Sequence, residues 1–314
     1  MTTLLAIHPH FPSLFAGNAT PERIAGGGKW VEGPAYLPSH GCLVWSDIPN
    51  NRMLCWNEAT GAVSDYRNPS RFANGHTLDW EGRLVSCEHG SRSVTRQEAD
   101  GSTTTIASHW QGKRLNSPND VVVARDGAIW FTDPTYGIDS DYEGYKADSE
   151  IGACHVYRVD PASGQCESAL TDFVRPNGLA FNANETRLYV ADTGRTHMTD
   201  GPKHIRVFNV GPGYALSGGA VFADCDVGLF DGFRLDALGR VWTSAGDGVH
   251  CYAPSGALLG KLLLPESAAN LVFGGATGCD LFVCATSAVY RVRLAADWAT
   301  SSASMNMAGT LKPV

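Results

Sequence analysis

The chain has no run of basic residues. Its 24 Lys and Arg stand against 32 Asp and Glu over 314 residues, for a net charge of −8. This excludes the electrostatic footprint that nucleic acid or an anionic membrane surface requires. No apolar run approaches the ~20 residues of a helical membrane span. The stretch from Met1 to Phe15 lacks both a charged n-region and a clean apolar core, so it does not read as a secretory leader. The nine cysteines are odd in number, irregularly spaced and without a CxxC pair. That pattern argues against a disulfide framework and for buried, reduced thiols in a cytoplasmic protein. There is no GxGxxG turn, P-loop or coiled-coil heptad, and helical periodicity is nowhere sustained beyond about two turns. Ser117 has no nucleophile elbow, and no Ser-His-Asp signature is present.

What the chain does have is turns and short strands. Thirty-five glycines and sixteen prolines are spread along it rather than clustered. One phrase recurs in variant form: Glu32-Gly33-Pro34, Asn74-Gly75-His76, Asn119-Asp120-Val121, Asn177-Gly178-Leu179, Asp231-Gly232-Phe233 and Asn270-Leu271-Val272. The steps between copies are 42, 45, 58, 54 and 39 residues. Each copy opens a strand-like run, followed by further runs such as Leu43-Val44-Trp45-Ser46-Asp47, Trp130-Phe131-Thr132-Asp133 and Tyr189-Val190-Ala191-Asp192. Several short strands per repeat of this length predict a β-propeller. The expectation is an all-β, six-bladed propeller of four-stranded antiparallel blades. One domain would span residues 1–314, with 1–21 as an N-terminal extension. Inner strands would open near 32, 74, 119, 177, 231 and 270.

Unit six shows only three strands, and an open edge invites aggregation. The segment Glu22-Arg23-Ile24-Ala25 is therefore expected to close it. Two polar insertions, 134–153 and 193–203, read as solvated surface loops, with a pocket wall or a second cation site as alternatives for the first.

The innermost strands of a propeller surround its channel, so the six openers should meet at one mouth. All six carry oxygen donors, and Glu32 and Asp231 are carboxylates. Oxygen-only ligation suits a hard cation such as Ca²⁺, Mg²⁺ or Mn²⁺. Each pair could also be an ordinary turn feeding a strand; six copies at one repeat position favour a shared site. His76 lies next to a channel position and is a candidate substrate neighbour, whereas His89 reads as structural.

The sequence resembles the senescence marker protein/gluconolactonase/luciferin-regenerating enzyme (regucalcin-like) family. The resemblance covers roughly residues 20–295. It rests on Trp30-Val31-Glu32-Gly33-Pro34, Leu115-Asn116-Ser117-Pro118-Asn119-Asp120, Trp130-Phe131-Thr132-Asp133-Pro134, Arg175-Pro176-Asn177-Gly178-Leu179, Asp231-Gly232-Phe233 and Asn270-Leu271-Val272-Phe273-Gly274-Gly275. It is similar above all to the bacterial gluconolactonases. The resemblance implies a six-bladed propeller with one divalent ion in its channel, Ca²⁺ first, with Mg²⁺, Mn²⁺ or Zn²⁺ as alternatives. Its ligands would be Glu32, Asn177 and Asp231, and Asn119 would lie beside it as a ligand or substrate contact. Asp231 would double as general acid/base in opening a sugar lactone. Family members place an arginine just before the Asn119 equivalent; here Ser117 stands there, and Arg114, further back, is the candidate. The implied partner is a small lactone, with no nucleic acid or membrane, and the protein would be a monomer or homodimer. Two other readings stay open: phosphotriester or fluorophosphate hydrolysis, and a non-catalytic calcium-binding propeller.

Overall fold

The computed structural model describes residues 3–298. It is a six-bladed β-propeller of antiparallel blades. Blade one is Val31–Leu37, Cys42–Asp47, Arg52–Asn57 and Val63–Arg67, from channel to rim. Blade two is Ala73–Leu78, Leu84–Glu88, Ser93–Gln97 and Thr103–Ala107. Blade three is Val121–Val123, Ile129–Asp133, Cys154–Val159 and Cys166–Phe173. Blade four is Pro176–Phe181, Arg187–Asp192, His204–Val210 and Leu216–Asp224. Blade five is Phe233–Leu235, Val241–Ala245, Gly248–Tyr252 and Leu258–Leu263. Blade six is Ala268–Gly274, Asp280–Ala285 and Ala288–Arg293, completed by Glu22–Gly26.

The central strands read as continuous apolar runs because both of their faces are buried. Successive side chains point to opposite sides of a strand, and here each side meets a neighbouring blade. Phe131 packs with Val85 and Val94 of blade two, while Trp130 packs with Leu179 and Val190 of blade four. Val241 joins Tyr189 of blade four, while Trp242 joins Leu281 of blade six. Phe282 then meets Trp45 and Trp56 of blade one, and Val44 meets Ala73 and Leu84 of blade two, which completes the ring of cores.

The closing strand is where the open edge requires it. Glu22 lies opposite Arg291 in the ladder, and their side chains form an ion pair at 2.6 Å. A second N-terminal segment, Leu4–Ala6, adds a fifth strand to blade five. Between them Phe11 and Phe15 pack against Trp242, with ring centroids 6.2 and 5.8 Å away. Truncation through Gly26 would bare the edge of Ala288–Arg293. The expected result is self-association on size exclusion and a melting temperature more than about 5 °C lower. A monomeric, equally stable truncation would show that the strand is dispensable.

All nine cysteines are free thiols, seven of them buried, as the absence of a pairing pattern implied. Among the described residues no helix is long and apolar enough to cross a membrane.

Candidate active site on the propeller axis

Backbone irregularity sets the openers of blades one, two and four, and a carboxylate stands behind those of blades one, three and four. The inner-strand register shifts between Glu32 and Ala35, between Ala73 and His76, and between Pro176 and Leu179. Such bulges re-aim side chains off the sheet face. The residue closing the second strand of a blade then fixes the loop leading in. Asp133 accepts the Asn116 and Ser117 N–H groups, both at 2.8 Å. Asp192 accepts those of Val174 and Arg175 at 3.0 and 2.9 Å, and Asp47 accepts that of Lys29 at 3.0 Å. The Trp-Phe-Thr-Asp type of strand ending is thus a positioning device for the opener of its own blade.

The glycine after the opener answers to the next blade rather than to a turn. A Cβ on Gly33 would lie 2.0 Å from the Asn74 carbonyl oxygen, on Gly75 2.4 Å from that of Asn119, and on Gly178 2.3 Å from that of Asp231. Of these three only Gly33 has a positive φ, 56°. The backbone passes so close because Gly75 N–H donates to Asn119 O at 2.9 Å and Gly178 N–H to Asp231 O at 3.2 Å, linking opener to opener.

The same link corrects the sixth opener. Gly232 N–H donates to Ala269 O at 2.7 Å, so Ala269, not Asn270, stands in the opener position of blade six. Asn270 lies one residue further along, in the column that holds glycine in blades one, two, four and five. Blade three departs in the same way, with Asp120 in the glycine position. Asp120 is buried, and Arg234 Nη1 approaches its Oδ2 at 3.7 Å.

Glu32, Asn74, Asn119, Asn177 and Asp231 line one cavity of about 320 Å³ on the axis. Trp30, Ser267 and Ala268 complete it on the blade-one and blade-six side. Glu32 and Asp231 have no basic side chain in ion-pair contact among the described residues. Burial raises the Glu32 pKa well above the usual carboxylate range, and the nearby Asp231 raises it further, while the Gly33 N–H opposes the rise. Burial likewise pushes Asp231 up, to about 8, with Asp120 and Glu143 adding repulsion. With no protein cation to offset them, the two carboxyls favour a bound proton, whose place a cation could take.

The amides are oriented from behind. His89 must donate through Nδ1 to the Glu143 carbonyl at 3.0 Å, because a carbonyl only accepts. Its Nε2 therefore accepts from Asn74 Nδ2 at 3.2 Å. His89 is buried and structural, as expected, yet it fixes an opener and an insertion together. Asn177 Nδ2 donates to Thr193 Oγ1 at 3.4 Å.

Two candidate substrate contacts lie elsewhere. His76 is fully buried between two hydroxyls, its Nε2 2.8 Å from Ser46 Oγ and its Nδ1 2.8 Å from Ser86 Oγ. Burial lowers its pKa to about 3, so it is a neutral inter-strand bridge and does not line the cavity. Arg114 sits on a short hairpin pair, Lys113–Arg114 with His109–Trp110, and donates to the Ser91 carbonyl at 3.1 Å. It too is away from the cavity lining.

The insertions, by contrast, are not merely solvated. Tyr136 and Glu143 from residues 134–153, with Thr193 and Thr196 from 193–203, form part of the cavity wall. Tyr136 O–H reaches Thr193 Oγ1 at 2.6 Å and so ties the two loops together. No repeat pattern marks these residues, because they lie outside the repeating unit. The Asn119-Asp120 exception to the opener-glycine phrase was the one available signal for Asp120.

Comparison with known proteins agrees with this geometry. Residues 30–288 match the family described as the SMP-30/gluconolactonase/LRE-like region. A gluconolactonase of Zymomonas mobilis is 30% identical over 297 residues, covering 87% of this chain and 80% of its own. The structure of a gluconolactonase from Xanthomonas campestris superposes with a TM-score of 0.87 at 37% identity, covering 93% of this chain and 94% of its own. A pentonolactonase of Haloferax volcanii is 25% identical over 261 residues, covering 80% of each chain. With the matched segment covering blades one to five and half of blade six, the chain belongs to the SMP-30/gluconolactonase/LRE-like family.

Proposed function

We propose that the protein is a metal-dependent hydrolase that opens sugar lactones, and that Asp231 is its general acid/base. The observation that carries this is the meeting, in one axial cavity, of two carboxyl groups without a basic partner among the described residues and three amides. The gluconolactonase and pentonolactonase relatives support the substrate class.

The donor set fits a hard divalent ion. Among the described residues no three His, Cys, Asp or Glu side chains cluster, so two carboxylates must be completed by an amide oxygen. Glu32, Asn177 and Asp231 would hold the ion, and all offer oxygen. Ca²⁺ suits this set best. When bound, the cation supplies Lewis acidity to the lactone carbonyl.

The chain's own residues do the rest. Asp231 takes a proton from the attacking water as the new C–O bond forms. It returns that proton to the ring oxygen as the ester C–O bond breaks, so the reaction consumes one water and yields one hydroxy acid. Proton transfer of this kind contributes ~10²–10⁴-fold. Asn119 is buried and lines the cavity, and among the described residues no hydrogen bond engages its side-chain amide, so it is placed to hold the substrate.

The test is hydrolysis of D-glucono-δ-lactone followed in a pH-stat, before and after chelation and on re-addition of Ca²⁺, Mg²⁺, Mn²⁺ or Zn²⁺. Turnover lost with the chelator and restored by a divalent ion is the expected result. Undiminished turnover in chelator would overturn metal dependence. Turnover of paraoxon with none of the lactone would overturn the substrate class.

A further inference from the structure

We infer that Glu143 is the group that reads the ring hydroxyls of the substrate and sets the preference for polyhydroxylated over plain lactones. This rests on the lactonase reading for its substrate class. The motifs that define the channel do not include Glu143; the 134–153 insertion brings it to the cavity.

Three observations converge on it. First, its backbone is fixed. The Glu143 carbonyl accepts from His89 Nδ1 at 3.0 Å, Tyr145 N–H donates to Gly137 O at 3.1 Å, and Ala147 N–H donates to Ile138 O at 3.0 Å. Gly144 lies so close to Gly137 that a Cβ would stand 2.1 Å from its oxygen, and Tyr145 meets the Phe72 ring edge-on at 5.2 Å. The wall is clamped to blade two, not hung over the site as a flap.

Second, the other polar groups of the wall are already satisfied. Thr193 Oγ1 donates to Arg175 O at 3.2 Å, Thr196 Oγ1 donates to Thr193 O at 2.9 Å, and Tyr136 O–H lies between the two threonine hydroxyls. Third, the Glu143 carboxylate makes no hydrogen bond or ion pair among the described residues, although it is half-buried and faces the cavity. It lines the same cavity as Asp231, at the reacting end of the site.

A half-buried acceptor on a rigid wall takes its partners from whatever enters. A sugar lactone presents several hydroxyl donors around its ring, and adjacent ones match the two oxygens of a carboxylate. A lactone without hydroxyls leaves the same carboxylate desolvated and unpaired. Sites built in this way reject the deoxy analogue far more strongly than apolar pockets reject a missing methylene.

The experiment pairs kinetics with binding. In the metal-loaded protein, kcat/KM is measured for D-glucono-δ-lactone and for δ-valerolactone. Calorimetry then compares D-glucono-δ-lactam with δ-valerolactam, which resist hydrolysis and differ only in ring substituents. Glu143→Ala should reduce the preference for the hydroxylated member about 10- to 100-fold in both measurements. Glu143→Gln keeps hydrogen-bonding capacity and shape, and should retain most of the preference, mainly through KM. An unchanged ratio in Glu143→Ala, or equal loss with both members of each pair, would overturn the assignment. Selective lactam binding that depends on Glu143, with no lactone turned over, would support the assignment and sink the lactonase reading instead.

Discussion

Replacing Asp231 by asparagine is expected to lower kcat/KM for a sugar lactone at least ~10³-fold, since it removes a proton-transfer group and weakens a cation ligand together. The same substitution should stabilise the chelated protein. Burial and repulsion move the Asp231 pKa from 3.8 to about 8, so the folded state holds a proton that the unfolded state has released. Between those values the folded chain binds more protons, and stability falls as pH rises. Glu32, whose pKa burial and Asp231 raise, acts in the same direction. Urea unfolding in chelator should therefore show a lower midpoint at pH 8 than at pH 5. Asp231→Asn should flatten that slope, and a saturating divalent ion should reverse it by replacing the proton. Full activity in Asp231→Asn would remove the proposed mechanism. A midpoint that rises with pH in chelator would remove the electrostatic account.

The second large effect concerns backbone space, not chemistry. Gly33→Ala would put a methyl 2.0 Å from the Asn74 carbonyl oxygen, at a residue whose φ is 56°. Neither side can give way, because the next blade supplies the oxygen. Overpacking plus a left-handed backbone should cost roughly 3–5 kcal/mol or prevent folding. Gly82→Ala is the control. Gly82 has φ 77° but open space within 4 Å, so only the conformational cost of about 1–2 kcal/mol applies. Comparing their urea midpoints separates the two causes. Equal losses would mean that close approach between blades is not what selects glycine at the axis.

These glycines show how the repeat became legible. The opener-glycine phrase recurs because one steric demand recurs wherever an inner strand passes its neighbour. Its period exposed the six blades, and its polar member marked five of the residues that line the cavity. Asn270 was misassigned because the phrase identifies residue types and not ladder register; only the Gly232-to-Ala269 hydrogen bond distinguishes them. His76 shares an inner strand with Asn74 and would share its face by simple alternation, but the register shift between Ala73 and His76 and the flanking serines turn it into the blade. Rim strands such as Leu216–Asp224 were silent in sequence because they are largely exposed and need no apolar signal. Glu143 and Tyr136 were silent for a different reason. An insertion obeys no periodicity, so only its folded path reveals what it faces.

The clasp between Glu22–Gly26 and Ala288–Arg293 also has a temporal side. Translation delivers Glu22–Gly26 before blade one and Ala288–Arg293 only after blade five. Loop closure over such a separation is slow. Blades one to five can assemble while the ribosome is still working, but the N-terminal segment must wait unpaired until the last hairpin is released. Those five residues therefore set when the circle shuts, and a nascent chain stalled before Ala288 would be a ring with a gap.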